Sequence, residues 1–233
     1  MVRGADFSAY QNDAHVEAAI AEGIGFAFVK LTQGTSYTSP AAREQLDRLR
    51  AHGVHVGVYH YLDAGASAAA QWAHFAAELA KLPYWRSLVV ALDYEAPGAT
   101  DAQAAAFIAA GKRDGYRVGL YSSAGTHGYA NVKPAFRWIA AWTAKPGKPP
   151  RSCRFWQWAQ GAGGGPDWDL FVGDKAALAK FWTATAGRAV TYRVAVAGVT
   201  VGRYASWARA TAAALAYMLA HPAKQSYRVD RVA

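Results

Sequence analysis

Asp93 and Glu95 stand two residues apart where an apolar run, Val89-Val90-Ala91-Leu92, comes to its end. On an extended strand such a spacing turns both side chains to one face, roughly 6–7 Å apart. Two carboxylates that close repel, and burial raises the pKa of whichever is better shielded. One carboxyl kept protonated beside one kept ionised is what hydrolysis of a glycosidic bond requires: a proton for the leaving oxygen and a negative charge for the anomeric carbon. A bare D-x-E running into Ala96-Pro97-Gly98 more often marks a strand entering a turn. Two further acids change that balance, because Asp6 lies in the first apolar segment and Asp167 opens the last.

The elements that must position these acids alternate. Eight segments have strand composition: Val2–Ala9, Gly25–Gly34, Val54–Asp63, Ser87–Glu95, Arg117–Ser123, Phe136–Thr143, Arg154–Gln160 and Asp167–Phe171. Several are continuously apolar (FAFVKL, VGVYHYL, LVVAL), the pattern of strands covered on both faces. Ala-rich helical stretches follow the first four: Ala14–Glu22, Ala41–His52, Ser67–Lys81 and Asp101–Asp114, the last with Thr100 as N-cap. After the fifth strand only Ala124–Ala135 remains for a crossover, and Ala144–Arg151 and Gly161–Pro166 are too short for full helices. The sequence therefore predicts an α/β fold, an eight-stranded TIM-like barrel with an irregular end. In such a barrel the site lies at the C-terminal mouth of the strands, and strands one and eight are neighbours.

Aromatic residues fall on the same strands: Tyr59 and Tyr61 in the third, Tyr121 in the fifth, Trp142 in the sixth, Trp156 and Trp158 in the seventh. Sugars stack on aromatic faces while Tyr and Trp keep a polar handle. Alternation sends only one set inward, so about half are core. Tyr59, Tyr61, Tyr121, Trp142 and Gln157 are the expected sugar contacts.

Other chemistries find little support. Cys153 is the only cysteine, which rules out an intramolecular disulfide and reads as a packed small side chain. His52, His55 and His60 lack an HExxH setting or a thiol partner, so no metal site and no cofactor is expected. No serine sits in G-x-S-x-G. No stretch reaches the ~20 apolar residues of a membrane span, which predicts no membrane insertion. Met1–Asp6 carries no apolar h-region, which predicts no signal peptide.

In order along the chain, G-A-D-F-S-A-Y-Q (Gly4–Gln11), F-V-K-L-T-Q-G-T (Phe28–Thr35), G-V-Y-H-Y (Gly57–Tyr61), A-L-D-Y-E (Ala91–Glu95), G-L-Y-S-S (Gly119–Ser123), W-I-A-A-W (Trp138–Trp142), W-Q-W (Trp156–Trp158) and D-W-D-L-F (Asp167–Phe171) resemble the family 25 glycoside hydrolases, the Chalaropsis-type lysozymes. The resemblance covers about Arg3 to Phe181 and implies a (β/α)5(β)3 barrel. It implies hydrolysis of the β-1,4 bond between N-acetylmuramic acid and N-acetylglucosamine in bacterial peptidoglycan. Glu95 would then be the proton donor, Asp93 would orient the substrate's N-acetyl group, and Asp6 and Asp167 would be the other acids of the pocket. The family pattern D-x-N-x-F is here Asp167-Trp168-Asp169, and the spacing to Phe171 favours Asp167 as the pocket residue. A non-catalytic wall-binding barrel and a chitinase-like N-acetylhexosaminidase are the alternatives, although the D-x-x-D-x-D-x-E run of chitinases is absent.

The domain division expected is a catalytic barrel over 1–186 and a small module over 187–233. Val190–Val201 alternates as a hairpin around Ala197-Gly198, Ser206–Ala220 is helical and Ser226–Val232 extended, a ββαβ appendage. Of the net charge of +9, residues 187–233 carry +6. A basic module suits anionic cell-wall polymers; it contains no nucleic-acid-binding motif, and no nucleic-acid partner is expected. Together with the resemblance, the N-terminus implies a phage endolysin made in the host cytoplasm and released to the wall, or an extracellular enzyme if the chain is trimmed.

Overall fold

The structure, a computed structural model, describes residues 1–125, 131–186, 191–197, 199–204, 207–221 and 226–232. Its larger part runs β1 (Val2–Phe7), α1 (Asp13–Ala21), β2 (Phe26–Gln33), β3 (Tyr37–Thr38), α2 (Ala42–Ala51), β4 (His55–Tyr61), α3 (Ala68–Leu79), β5 (Val89–Asp93), α4 (Asp101–Arg113), β6 (Gly119–Ser123), β7 (Arg137–Ala140), β8 (Phe155–Ala159), β9 (Asp167–Phe171) and α5 (Lys175–Thr185). Pairing in the order β1-β9-β8-β7-β6-β5-β4-β2, with β1 also bonded to β2, closes an eight-stranded barrel, and β3 adds a short strand to the edge of β2.

Seven barrel strands are parallel, but β9 runs antiparallel to both β8 and β1. The reversal has a simple origin. Only the short Gln160–Pro166 link separates β8 from β9, and a parallel return needs a crossover of a dozen residues or more. Its consequence is that the first residue of β9 lies at the mouth, in register with Asp6.

Helices start where local chemistry caps them. Thr100 Oγ1 accepts from Gln103 N at 3.2 Å and Ser67 Oγ from Ala70 N at 3.3 Å, satisfying orphan N–H groups of α4 and α3. The fifth crossover does not appear as a helix among the described residues of 124–135. The helix that the strand–helix alternation did not predict is α5, capped by Asp174 Oδ1 on Ala177 N at 2.7 Å. It closes the end of the barrel opposite the mouth: Trp182 and Leu178 are buried, and the Trp182 indole donates to Val56 O at 3.0 Å.

Two apolar layers follow from the alternation of side chains. One lies between barrel and helices and contains Val29, Leu46, Val58, Trp72, Phe75, Leu92 and Phe107. The other fills the barrel with Phe26, Phe28, Phe136, Trp138, Phe155 and Phe171. Rings this large fit because glycines face them: a Cβ on Gly57 would lie 2.6 Å from the Phe28 ring, and one on Gly119 2.2 Å from Phe136.

The outer layer also holds a polar network. His60 on β4 is fully buried, stacked on Phe107 with ring centroids 4.9 Å apart. Gln71 Nε2 donates to Asp63 O and Ala66 O, which leaves its Oε1 to accept from His60 Nε2 at 3.1 Å. His60 Nδ1 then accepts from the Thr32 hydroxyl at 2.8 Å. Burial lowers the His60 pKa to about 4, so the ring is neutral at neutral pH.

The C-terminal part contains β10 (Thr191–Val196), β11 (Val199–Tyr204), α6 (Trp207–Ala220) and β12 (Tyr227–Val232), with the antiparallel order β11-β10-β12. This is the expected ββαβ arrangement, with Val194, Val196, Ala210 and Ala214 as its own buried cluster. The expected boundary at 186/187, the turn residue Gly198 and the helix start at Ser206 fall against or within segments outside the described residues.

Candidate active site

Asp93 closes β5 and Glu95 follows it by two, and both line a cavity of about 590 Å³ at the barrel mouth together with Asp6 and Asp167. Tyr94, between them, turns to the other face, where its hydroxyl donates to Asp101 Oδ1 at 3.0 Å. The two acids differ in shielding. Asp93 is 6% exposed and its Oδ1 meets no donor among the described residues, whereas Glu95 stands at the open rim. Burial, and then the charge of Glu95, push Asp93 well above the usual carboxylate range. Partial burial raises Glu95 as well, with Asp167 adding to the effect. The better shielded member of the pair is therefore Asp93, while Glu95 is the member that substrate reaches first.

One cation faces these acids within the cavity lining. Lys30 reaches in from β2, donates to Gln33 Oε1 at 2.7 Å and lies 4.6 Å from the centroid of Tyr61. Its charge lowers both Asp93 and Glu95 and so opposes the rise that burial causes. Burial in turn lowers the Lys30 ammonium, and the two acids hold it up.

Gln157 on β8 is the hub of the floor. Its Oε1 accepts from the Tyr121 hydroxyl and the Trp142 indole, each at 3.0 Å. An indole N–H only donates, which fixes the amide orientation, and Gln157 Nε2 donates to Asp6 Oδ2 at 2.8 Å. Beside it in the lining is the Gly-rich loop after β8. Gly161 N donates to Asp167 Oδ1 at 2.9 Å, and Gln11 Nε2 reaches Gly164 O and Gly165 O. A Cβ on Gly161 would fall 2.3 Å from two carbonyl oxygens, so this turn admits no side chain there.

Residues 5–163 match the sequence model of the glycosyl hydrolases family 25. The chain belongs to that family. The matched span contains Asp6, Asp93, Glu95 and Gln157; Asp167 lies beyond it and joins the site through the reversal of β9. Among solved structures, the muramidase of Acremonium alcalophilum is similar at 24% identity and TM-score 0.66, covering 79% of this chain and 100% of its own. The bacterial lysozyme of Streptomyces coelicolor is similar at 26% identity and TM-score 0.65, covering 79% and 98%. The catalytic domain of an endolysin from a bacteriophage of Listeria monocytogenes follows at 22% and TM-score 0.55, covering 77% and 97%. No curated protein sequence matches.

In this family 25 hydrolase, the expected sugar contacts Tyr59, Tyr61, Tyr121 and Gln157 all line the cavity. Trp142 stands beside it, 56% exposed, on a neighbouring depression of about 270 Å³ that shares Glu95 and Tyr121. Trp156 is core, its indole donating to Ala141 O at 2.8 Å. The family 25 site also contains residues that the sequence did not single out: Tyr10, Gln11, Lys30, Gln33 and Trp138. Lys30 had a usable signal, as the one charge inside FAFVKL. Cys153 is half-buried, and burial raises its thiol.

Proposed function

We propose that this glycoside hydrolase is a muramidase, cutting the β-1,4 bond between N-acetylmuramic acid and N-acetylglucosamine in bacterial peptidoglycan. The observation that carries this is the D-x-E pair at the mouth of a family 25 barrel, facing one cavity with Asp6 and Asp167. The likeness to a bacterial lysozyme at 26% identity supports the same substrate class.

In the mechanism proposed, Glu95 at the rim protonates the leaving glycosidic oxygen. The acetamido oxygen of the sugar in the cavity attacks C1 from the opposite face as that bond breaks, a substrate-assisted form of retention. Asp93, deeper and with an unpartnered oxygen, holds the acetamido group in position. Glu95, now ionised, takes a proton from the water that opens the cyclic intermediate, and the enzyme returns to its starting state. Lys30 limits how far both acids are raised, and Tyr59, Tyr61 and Tyr121 wall the sugar ring.

Mass spectrometry of digested peptidoglycan tests this directly. New reducing-end muramic acid is expected; reducing-end glucosamine or freed stem peptides would refute it. The basic 187–233 segment is proposed to hold the enzyme on anionic wall polymers. Pull-down on intact walls should then weaken as salt rises, and equal binding to walls stripped of such polymers excludes that role.

A further inference from the structure

Asp169 lies one pleat deeper than Asp167 on the same face of β9 and is fully buried. Its Oδ1 accepts from the Trp138 indole at 2.7 Å. An indole can only donate, so Oδ1 is the accepting oxygen and Oδ2 is the oxygen left to carry a proton toward another acceptor. That oxygen is closed to solvent and meets no N–H or O–H donor among the described residues; besides Trp138, the group in hydrogen-bonding reach of Asp169 is the Asp6 carboxyl. Asp6 already accepts from Gln157 Nε2 and has one side open to the cavity. Two ionised carboxylates in contact, one without any solvent, carry a desolvation and repulsion cost, and no cation among the described residues acts on either.

We propose that Asp169 and Asp6 hold one proton between them, on Asp169 Oδ2, so that Asp169 donates to Asp6 and fixes it as the single anion of the pair. Every donor of the floor then converges on Asp6: Gln157 from β8, backed by Tyr121 and Trp142, and Asp169 from β9, backed by Trp138. Asp169 is a positioning residue that acts through Asp6. Burial raises both groups well above the usual range; the charges of Asp169 and Asp167 add to the rise at Asp6, and that of Asp167 adds to the rise at Asp169 while the Trp138 indole opposes it. The other titratable groups facing the pair are Asp167 from β9, Asp93 from β5, Tyr59 from β4 and Tyr121 from β6. Lys30 acts on Asp93 and Glu95 instead.

A neutral carboxyl offers one acceptor and one donor, as an asparagine amide does, which sets the test. In wild-type-minus-variant difference infrared spectra at pH 7, one protonated-carboxyl C=O stretch should remain after subtraction of Asp169→Asn, since the bands of Glu95 and Asp93 are common to both proteins; absence of that difference band overturns the proposal. The sign of the stability effect is also set. A carboxyl raised on folding stabilises least above its folded pKa, so wild type loses stability as pH rises from about 4. Asp169→Asn should gain on wild type over that rise, and a margin constant with pH counts against the shared proton. Neither readout depends on the muramidase assignment. For the part that rests on it, Asp169→Asn should keep turnover within about threefold across the pH profile. Asp169→Leu, which cannot donate, should lose at least about tenfold while remaining folded. Equal losses in the two variants overturn the positioning role.

Discussion

Replacing Glu95 by Gln leaves the barrel folded and lowers turnover on bacterial cell walls by about 10²–10⁴-fold, the range a positioned general acid contributes. Glutamine keeps the shape of the side chain and its place at the rim but has no proton to give the leaving oxygen. Stability should change by less than about 0.5 kcal/mol, the usual range for a surface change, since Glu95 is exposed and no hydrogen bond to it appears among the described residues. Release of soluble muropeptides gives the rate, and a thermal melt by circular dichroism confirms the fold. Turnover like wild type in a folded Glu95→Gln variant removes Glu95 from the chemistry and leaves Asp93, the better shielded acid, as the proton donor.

The second large effect concerns acid stability and needs no substrate. His60 is neutral in the folded protein, with its pKa lowered from 6.5 to about 4 by burial. Between those values the unfolded chain binds a proton that the folded chain does not, so stability falls as pH drops through that window and levels off below it. The loss amounts to about 3 kcal/mol over the window. Asp6, Asp93 and Asp169, raised on folding, change stability in the opposite sense as pH falls toward 4. The contribution of His60 is therefore read as a difference against His60→Gln, which keeps a donor and an acceptor between Thr32 and Gln71. The variant should be less stable at pH 7 by about 1–2 kcal/mol for the lost ring packing; at about 1.4 kcal/mol lost by wild type per pH unit below 6.5, it should overtake wild type between about pH 6 and pH 5. Parallel urea midpoints for the two proteins across that range would show that His60 already carries its proton or never takes one.

Much of this arrangement is legible in the residues alone, because strand and helix periodicities are local. The apolar runs that end in Asp93 and Tyr61 are strands in the structure, and Thr100 caps the helix expected of it. What escapes is set by long-range pairing. Asp167 opens its strand, and at the start of a parallel strand it would lie at the wrong end of the barrel. Only the reversed β9 brings it level with Asp6. Within the D-x-D of β9 the two acids share a face, so the preference for Asp167 comes from the family pattern; what separates them physically is depth, which depends on the whole barrel. Helix α5 lies outside the strand–helix alternation, although Asp174 before an Ala-rich run is a fair start signal; its place under the barrel depends on the path of β9. Lys30 is one charge in an apolar strand, and its meaning depends on Asp93 and Glu95 ending another strand within its reach.

The reversed β9 also decides where the polypeptide leaves. A parallel eighth strand would deliver the chain to the rim, into the path of a glycan strand. Running the other way, β9 hands it to α5 at the far end, where Trp182 meets Val56 O. Sequence can thus be spliced on after the barrel, exchanged or lost, without remodelling the cleft. This separates two kinds of evolution, one acting on the residues of the cleft and the other on whatever follows the barrel.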